Sequence, residues 1–247
     1  LDIGCGPGYA SAILRKRWPK ARVIALDSAL PMLRQAKRQT RWFRSFIRLC
    51  GDANALPLAD QSVDVIFSNL CLPWLENLPE VLAGFRRILR PGGRLLCSTF
   101  GPDTLRELQD IFARVDTAPH VMPFFGISTL GDALITSGFR DPVLDCDRLT
   151  VAYPDLTTLM RELQATGMTN ALQSRRRTLT GRRRFIAVAD IYETLRNGDG
   201  MLPTTWEIIY LQAWAPEHGV PIRSRDGGEV ASMPVSAIPI RRREPQP

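Results

Sequence analysis

Leu1-Asp2-Ile3-Gly4-Cys5-Gly6-Pro7-Gly8 opens the chain, and its reading decides the fold. An apolar strand end runs into a glycine-rich loop, and the loop opens onto a helical stretch over residues 9–18. Glycines let the backbone turn tightly and leave main chain bare for a ligand. The free N–H groups at the helix start add partial positive charge. The spacing is Gly-x-Gly-x-Gly, not the Gly-x-Gly-x-x-Gly of dinucleotide sites. The loop alone therefore names no ligand, and the flanking carboxylates carry the argument further.

Residues 21–27, ending in Asp27, read as a short buried strand with an acid at its tip. An acid about twenty positions past the glycines suits ribose hydroxyls. The other physically sound use of Asp27 is as an N-cap for a helix over residues 29–38; the ribose role is the one expected. Residues 46–50 followed by Gly51-Asp52-Ala53 repeat the pattern of strand, tight turn and carboxylate, and Asp52 is placed to accept from a base amine. Residues 63–69 make a further buried strand that ends at Asn69. An apolar segment, 70–75, follows, with Trp74 expected in the core. Val81, Leu82, Phe85, Ile88 and Leu89 fall at helical spacing within residues 80–90. Arg90-Pro91-Gly92-Gly93 is expected to stop that helix before a strand at 94–99.

Strands and helices thus alternate. That calls for an α/β fold with a parallel sheet, helices on both faces and right-handed crossovers. Helices are expected at 103–115, 129–136, 154–164 and 186–195, a strand at 142–153 and a last strand at 206–214. Residues 174–185 hold six arginines and no acid. Beyond residue 216 the chain turns proline- and glycine-rich and reads as a loosely ordered tail.

The five cysteines are scattered without CxxC spacing, and the two histidines are far apart, so no zinc site is readable. Free thiols of this kind fit a reducing cytoplasm. No apolar run approaches the roughly 20 residues of a membrane span. The chain starts at Leu1, on the end of a strand, and is expected to lack an N-terminal segment. A net charge of +7 admits nucleic acid, an anionic surface or an acidic protein partner.

The opening octapeptide, Asp27, Gly51-Asp52-Ala53 and Arg90-Pro91-Gly92-Gly93 together resemble the motifs of class I S-adenosylmethionine-dependent methyltransferases. Phe100 to Leu105, His120-Val121, Leu130 to Leu134, Leu179 to Arg182 and Leu202 to Thr205 resemble the malonyl-acyl-carrier-protein O-methyltransferase family of biotin synthesis. Met122 and Pro73 depart from its pattern. A related group, the methyltransferase-like assembly factors of respiratory complex I, associated with arginine hydroxylation, shares some of these segments. A cofactor-binding scaffold without activity is a further alternative.

The resemblance implies a Rossmann-like, seven-stranded, mostly parallel sheet whose last strand is antiparallel. It implies a cofactor-binding core over residues 1–153 and a helical substrate or partner insertion over 154–200. The final strand would occupy 201–216, with the tail at 217–247. It implies S-adenosylmethionine as cofactor, held by Asp2, Gly4, Cys5, Gly6, Gly8, Asp27, Asp52, Ala53 and Asn69. The nucleophile it implies, a malonyl carboxylate, is ionised at neutral pH and needs no general base, so no catalytic residue is assigned. His120, Arg182 and Tyr210 are candidates to hold the malonyl group. Arg175, Arg176, Arg177, Arg183 and Arg184 are candidates to dock an acidic acyl carrier protein, in preference to nucleic acid or a membrane. No aromatic residues interleave the arginines to stack on bases.

Overall fold

A computed structural model describes residues 1–40, 45–170, 181–217, 222–223 and 228–230. Seven strands form one sheet: β1 (Asp2–Ile3), β2 (Ile24–Asp27), β3 (Ile47–Cys50), β4 (Val63–Asn69), β5 (Leu89–Phe100), β6 (Arg140–Tyr153) and β7 (Leu202–Trp214). Their order is β3-β2-β1-β4-β5-β7-β6. Strand β1 pairs in parallel with β2 and β4, and β2 with β3, whereas β7 lies antiparallel between β5 and β6. The mostly parallel sheet expected from the alternation is the one observed.

The helices are α1 (Tyr9–Arg17), α2 (Leu30–Ala36), α3 (Leu78–Ile88), α4 (Arg106–Val115), α5 (Ile127–Thr136), α6 (Leu156–Ala165) and α7 (Arg182–Glu193). A short 3-10 turn over Leu72–Trp74 buries Leu72 and leaves Trp74 43% exposed. The expectation of Trp74 in the core therefore fails, because so short a turn points few of its side chains inward. Among the described residues no helix is long and apolar enough to cross a membrane, and none of the His, Cys, Asp and Glu side chains gather into a metal site.

Pro91-Gly92-Gly93 behaves differently from the expectation. Helix α3 already ends at Ile88, and β5 runs straight through the three residues. Gly92 N–H donates to Ala215 O at 2.9 Å, and Ala215 N–H donates to Gly93 O at 2.8 Å, so the glycines belong to a ladder. A Cβ on Gly93 would lie 2.8 Å from Arg90 O, so this strand position has no room for a side chain. Strand β7 starts at Leu202, ahead of the 206 read from the residues alone and inside the 201–216 implied by the resemblance, and Leu105 N–H donates to Thr205 O. Within the expected tail, β8 (Ile222–Arg223) and β9 (Glu229–Val230) pair antiparallel; the other calls made there lie outside the described residues.

The chain divides into two compact units. The first comprises Leu1–Cys97, Gly131–Val143 and Leu211–Pro247. Its core includes Val81, Leu82, Phe85 and Ile88, the stripe of α3 read from helical spacing. The second comprises Ser98–Leu130 and Leu144–Tyr210. Its core packs Leu108, Ile111 and Phe112 of α4 with Leu156, Leu159 and Leu163 of α6 and Val188 and Tyr192 of α7. The two helices expected between the last two strands, α6 and α7, share one apolar core with α4 and the start of β7.

Candidate functional site

In the first unit, parallel pairing brings the C-terminal ends of β1, β2 and β3 side by side, with Asp27 opposite Cys50. Gly4 and Cys5 N–H groups both donate to Leu26 O, at 2.9 and 3.0 Å, which folds the glycine loop back over β2. Gly4, Gly6 and Gly8 all take positive φ, at 68°, 51° and 81°, a region that only glycine enters freely. Their surroundings differ. A Cβ on Gly4 would lie 2.4 Å from Cys71 Sγ, and one on Gly8 would lie 2.8 Å from Ala36 Cβ. A Cβ on Gly6 would meet nothing within 4 Å. Gly4 and Gly8 are therefore glycine for packing, and Gly6 presents bare backbone to open space.

Asp27 faces this loop. Its Oδ2 accepts from Gly6 N–H and its Oδ1 from Ala29 N–H, both at 2.8 Å. The carboxylate thus makes both a loop bond and a local turn bond, and each oxygen keeps a lone pair for a further donor. Asp52 closes a turn of its own, accepting from Asn54 N at 2.9 Å and Asn54 Nδ2 at 2.8 Å. It is exposed at the next strand tip, and Ala53 beside it is buried. Asn69 ends β4 and is exposed.

Asp2 is placed otherwise. It is 1% exposed, and its Oδ2 accepts from Ser11 Oγ at 2.5 Å, tying β1 to α1. Burial raises its pKa, and the Ser11 hydrogen bond opposes that rise. Burial also pushes the Cys5 thiol up to about 12 and the Cys71 thiol up to about 11, and Asp27 nearby adds to both. Cys5 sits in the apolar core under the loop, and Cys71 lies against Gly4.

The candidates of the second unit separate. His120 stacks on Phe112 with ring centroids 3.9 Å apart, and its Nε2 lies 2.7 Å from Asp116 Oδ1. Arg184 Nε lies 3.1 Å from Asp116 Oδ2. Burial would raise the Asp116 pKa, but the His120 and Ala118 hydrogen bonds and the Arg184 charge bring it below the usual value. Arg184 is thus engaged inside the unit, whereas Arg182 and Arg183 are exposed at the start of α7. Tyr210 is 45% exposed on β7. No hydrogen bond or ion pair joins His120, Arg182 and Tyr210 among the described residues. Arg175, Arg176 and Arg177 lie outside the described residues.

Sequence reading missed a node around Glu207. Its carboxylate is 5% exposed; Oε2 accepts from Asp103 N–H at 2.8 Å, and Oε1 from Cys146 Sγ and Arg148, each at 3.2 Å. Thr104 Oγ1 donates to Glu207 O at 3.0 Å, and a Cβ on Gly101 would lie 2.4 Å from Glu207 Oε2. The loop after β5 is therefore shaped by β7. Glu207, Cys146 and Arg148 also line a cavity of about 770 Å³ with Pro102, Ser128 and Ile209. A signal was present: Glu207 shares a strand face with Ile209, Leu211 and Ala213, all buried, and an acid on an apolar face must be paired.

Residues 1–97 match the family model described as a methyltransferase domain. The chain is 57% identical to the malonyl-acyl-carrier-protein O-methyltransferase of Xylella fastidiosa over 98% of its length and 82% of the relative's. It is 42% identical to the enzyme of that name from Laribacter hongkongensis, over 92% of the chain and 79% of the relative. Among solved structures, the YcgJ protein of Bacillus subtilis matches with a TM-score of 0.62 at 16% identity, over 87% of this chain and 91% of that one. That last likeness concerns the fold. The first two favour the carrier-protein methyltransferase over the assembly-factor alternative. With a glycine loop and two strand-tip acids built as above, and with such identity along nearly its whole length, this chain belongs to the malonyl-acyl-carrier-protein O-methyltransferase family.

Proposed function

We propose that the crevice beside the glycine loop holds S-adenosylmethionine, and that the protein uses it to methylate the free carboxylate of a malonyl thioester on an acyl carrier protein. The Asp27–Gly6 bond of 2.8 Å carries the reading, because it sets a carboxylate at the mouth of the loop. Ribose hydroxyls would donate to Asp27, a base amine to Asp52, and open backbone at Gly6 would receive the amino-acid portion. When bound, the cofactor supplies a methyl on a sulfonium, primed for in-line displacement. The loop glycines admit it closely, and Ala53 offers an apolar wall to the base.

A malonyl carboxylate is already charged near pH 7, so the protein need only align it and exclude water. A bidentate arginine on that carboxylate would grip the ground state more than the transition state, since charge is lost as the methyl transfers. Exposed Arg182 and Arg183 are better suited to an acidic carrier surface, where complementary charge speeds docking. An enzyme of this kind works in the cytoplasm and needs neither nucleic acid nor membrane.

The test is incubation of the protein with methyl-labelled cofactor and malonyl carrier protein. Label is expected on the carrier as a base-labile methyl ester. Label transfer to free malonate alone, or none to the carrier, would refute the proposal.

A further inference from the structure

Helix α7 has two faces, and the second unit closes only one of them. On the inner face Val188 and Tyr192, one turn apart, are fully buried, and Phe185, Ala189 and Ile191 pack partly against the same core. Ile186 lies two residues before Val188, on the opposite side of the helix, and is 47% exposed. A β-branched residue forms helix less readily than alanine, and on a solvated face it gains nothing in return. Arg182 and Arg183 stand four and three residues before it and are its neighbours on the helix surface. Both are exposed, and neither makes a hydrogen bond or ion pair among the described residues. Arg184, by contrast, is engaged by Asp116. One turn beyond Ile186 comes Asp190, also exposed, whereas Glu193 is paired with Arg196. The outer face thus runs from two cations, through an apolar side chain, to an acid.

That order specifies a partner. Two exposed cations, with no acid in the first turn of the helix, attract an acidic surface through a contact that salt screens. An apolar side chain beside them leaves water when the surfaces meet, and that contribution does not depend on screening. Asp190 repels the partner's acids and so fixes which end of α7 they meet. We infer that Arg182, Arg183 and Ile186 form one docking surface for the carrier protein, with Ile186 as its apolar anchor and Asp190 as the charge that sets the partner's direction; this rests on the malonyl-carrier reading above. The occupant is an acidic carrier surface that presents an apolar side chain beside its acids. A small malonyl thioester has no such surface, so the anchor contributes to carrier binding alone.

The test compares KM for malonyl carrier protein and for a small malonyl thioester, each at about 0.1 and about 0.5 M sodium chloride. Ile186→Ala is expected to raise KM for the carrier about three- to tenfold, by the same factor at both salt concentrations, with kcat unchanged. Asp190→Asn should lower KM for the carrier about twofold at the lower salt and have less effect at the higher. Neither should alter KM for the small thioester. A wild-type carrier KM in Ile186→Ala, or an equal rise on both substrates, overturns the anchor. A raised or unchanged carrier KM in Asp190→Asn overturns the assigned direction. If Ile186 seats a second copy of the chain instead, its substitution changes the sedimentation coefficient and leaves the carrier KM alone, which also overturns the inference. Lack of wild-type turnover on both substrates defeats the proposed function itself; wild-type turnover with no penalty in Ile186→Ala defeats only the docking surface.

Discussion

His120 Nε2 lies 2.7 Å from Asp116 Oδ1, and the same carboxylate holds Arg184 from its other oxygen at 3.1 Å. One acid thus ties the segment after α4 to the first turn of α7. The unit that carries the candidate substrate residues is clamped at its polar rim by a group that the reaction does not consume. Replacing Asp116 with Asn should lower stability by about 1–3 kcal/mol, since a largely buried guanidinium and imidazole lose their shared acceptor charge. Chemical denaturation measures this, and an unchanged midpoint would show that the clamp does not stabilise the unit.

The same carboxylate predicts an acid dependence. Its folded pKa is held below the ordinary value by His120, Ala118 and Arg184, against the opposing effect of burial. On lowering the pH, the unfolded chain protonates first, near ~4. The clamp's contribution is therefore full above that pH and drains as the pH falls through the lower, folded value. Wild-type protein should lose stability relative to Asp116→Asn across that acid window. Parallel pH profiles for the two proteins would contradict this.

Gly4 and Gly6 should respond differently to alanine. A Cβ at Gly4 would collide with Cys71 Sγ at 2.4 Å, so Gly4→Ala should unfold or strongly destabilise the first unit. A Cβ at Gly6 meets open space. Gly6→Ala should therefore cost only the strain of positive φ, roughly 1–2 kcal/mol, while blocking the approach of a ligand to the backbone. Thermal melting with and without S-adenosylhomocysteine separates the two: Gly6→Ala should melt cooperatively but lose the ligand-induced rise.

Asp27→Asn leaves one acceptor oxygen where two are used, for Gly6 and Ala29. It also removes the charge proposed to face the ribose. Cofactor affinity should fall at least about tenfold, about 1.4 kcal/mol, by calorimetric titration. An affinity equal to wild type would take Asp27 out of the cofactor site.

Docking through Arg182 and Arg183 predicts a steep fall in activity on carrier-bound malonate with rising salt, because exposed charges are screened over about 10 Å at 0.1 M. Activity on a small malonyl thioester should change little. The double substitution R182E/R183E should flatten the salt dependence. Equal salt slopes on both substrates would assign the effect to the cofactor or to the fold instead.

Local chemistry determined much of this protein from its sequence. Gly4, Gly6 and Gly8 announce a loop of positive φ because no other residue enters that region freely, and Asp27 follows at the tip of the next apolar run. The periodicity of Val81, Leu82, Phe85 and Ile88 places α3, since a buried stripe recurs with the helical turn. What the sequence did not display are meetings of residues distant along the chain. The missing side chain of Gly101 makes room for Glu207, a residue of the last long strand. Pro91-Gly92-Gly93 reads as a helix stop, yet Ala215 draws it into a strand. Asp116 and Arg184 are ordinary surface types until packing of α4 against α7 makes them partners. Backbone preference is a property of single residues and short spacings, so sequence alone can report it. Partnership between side chains depends on which surfaces close over one another, and only the folded chain decides that.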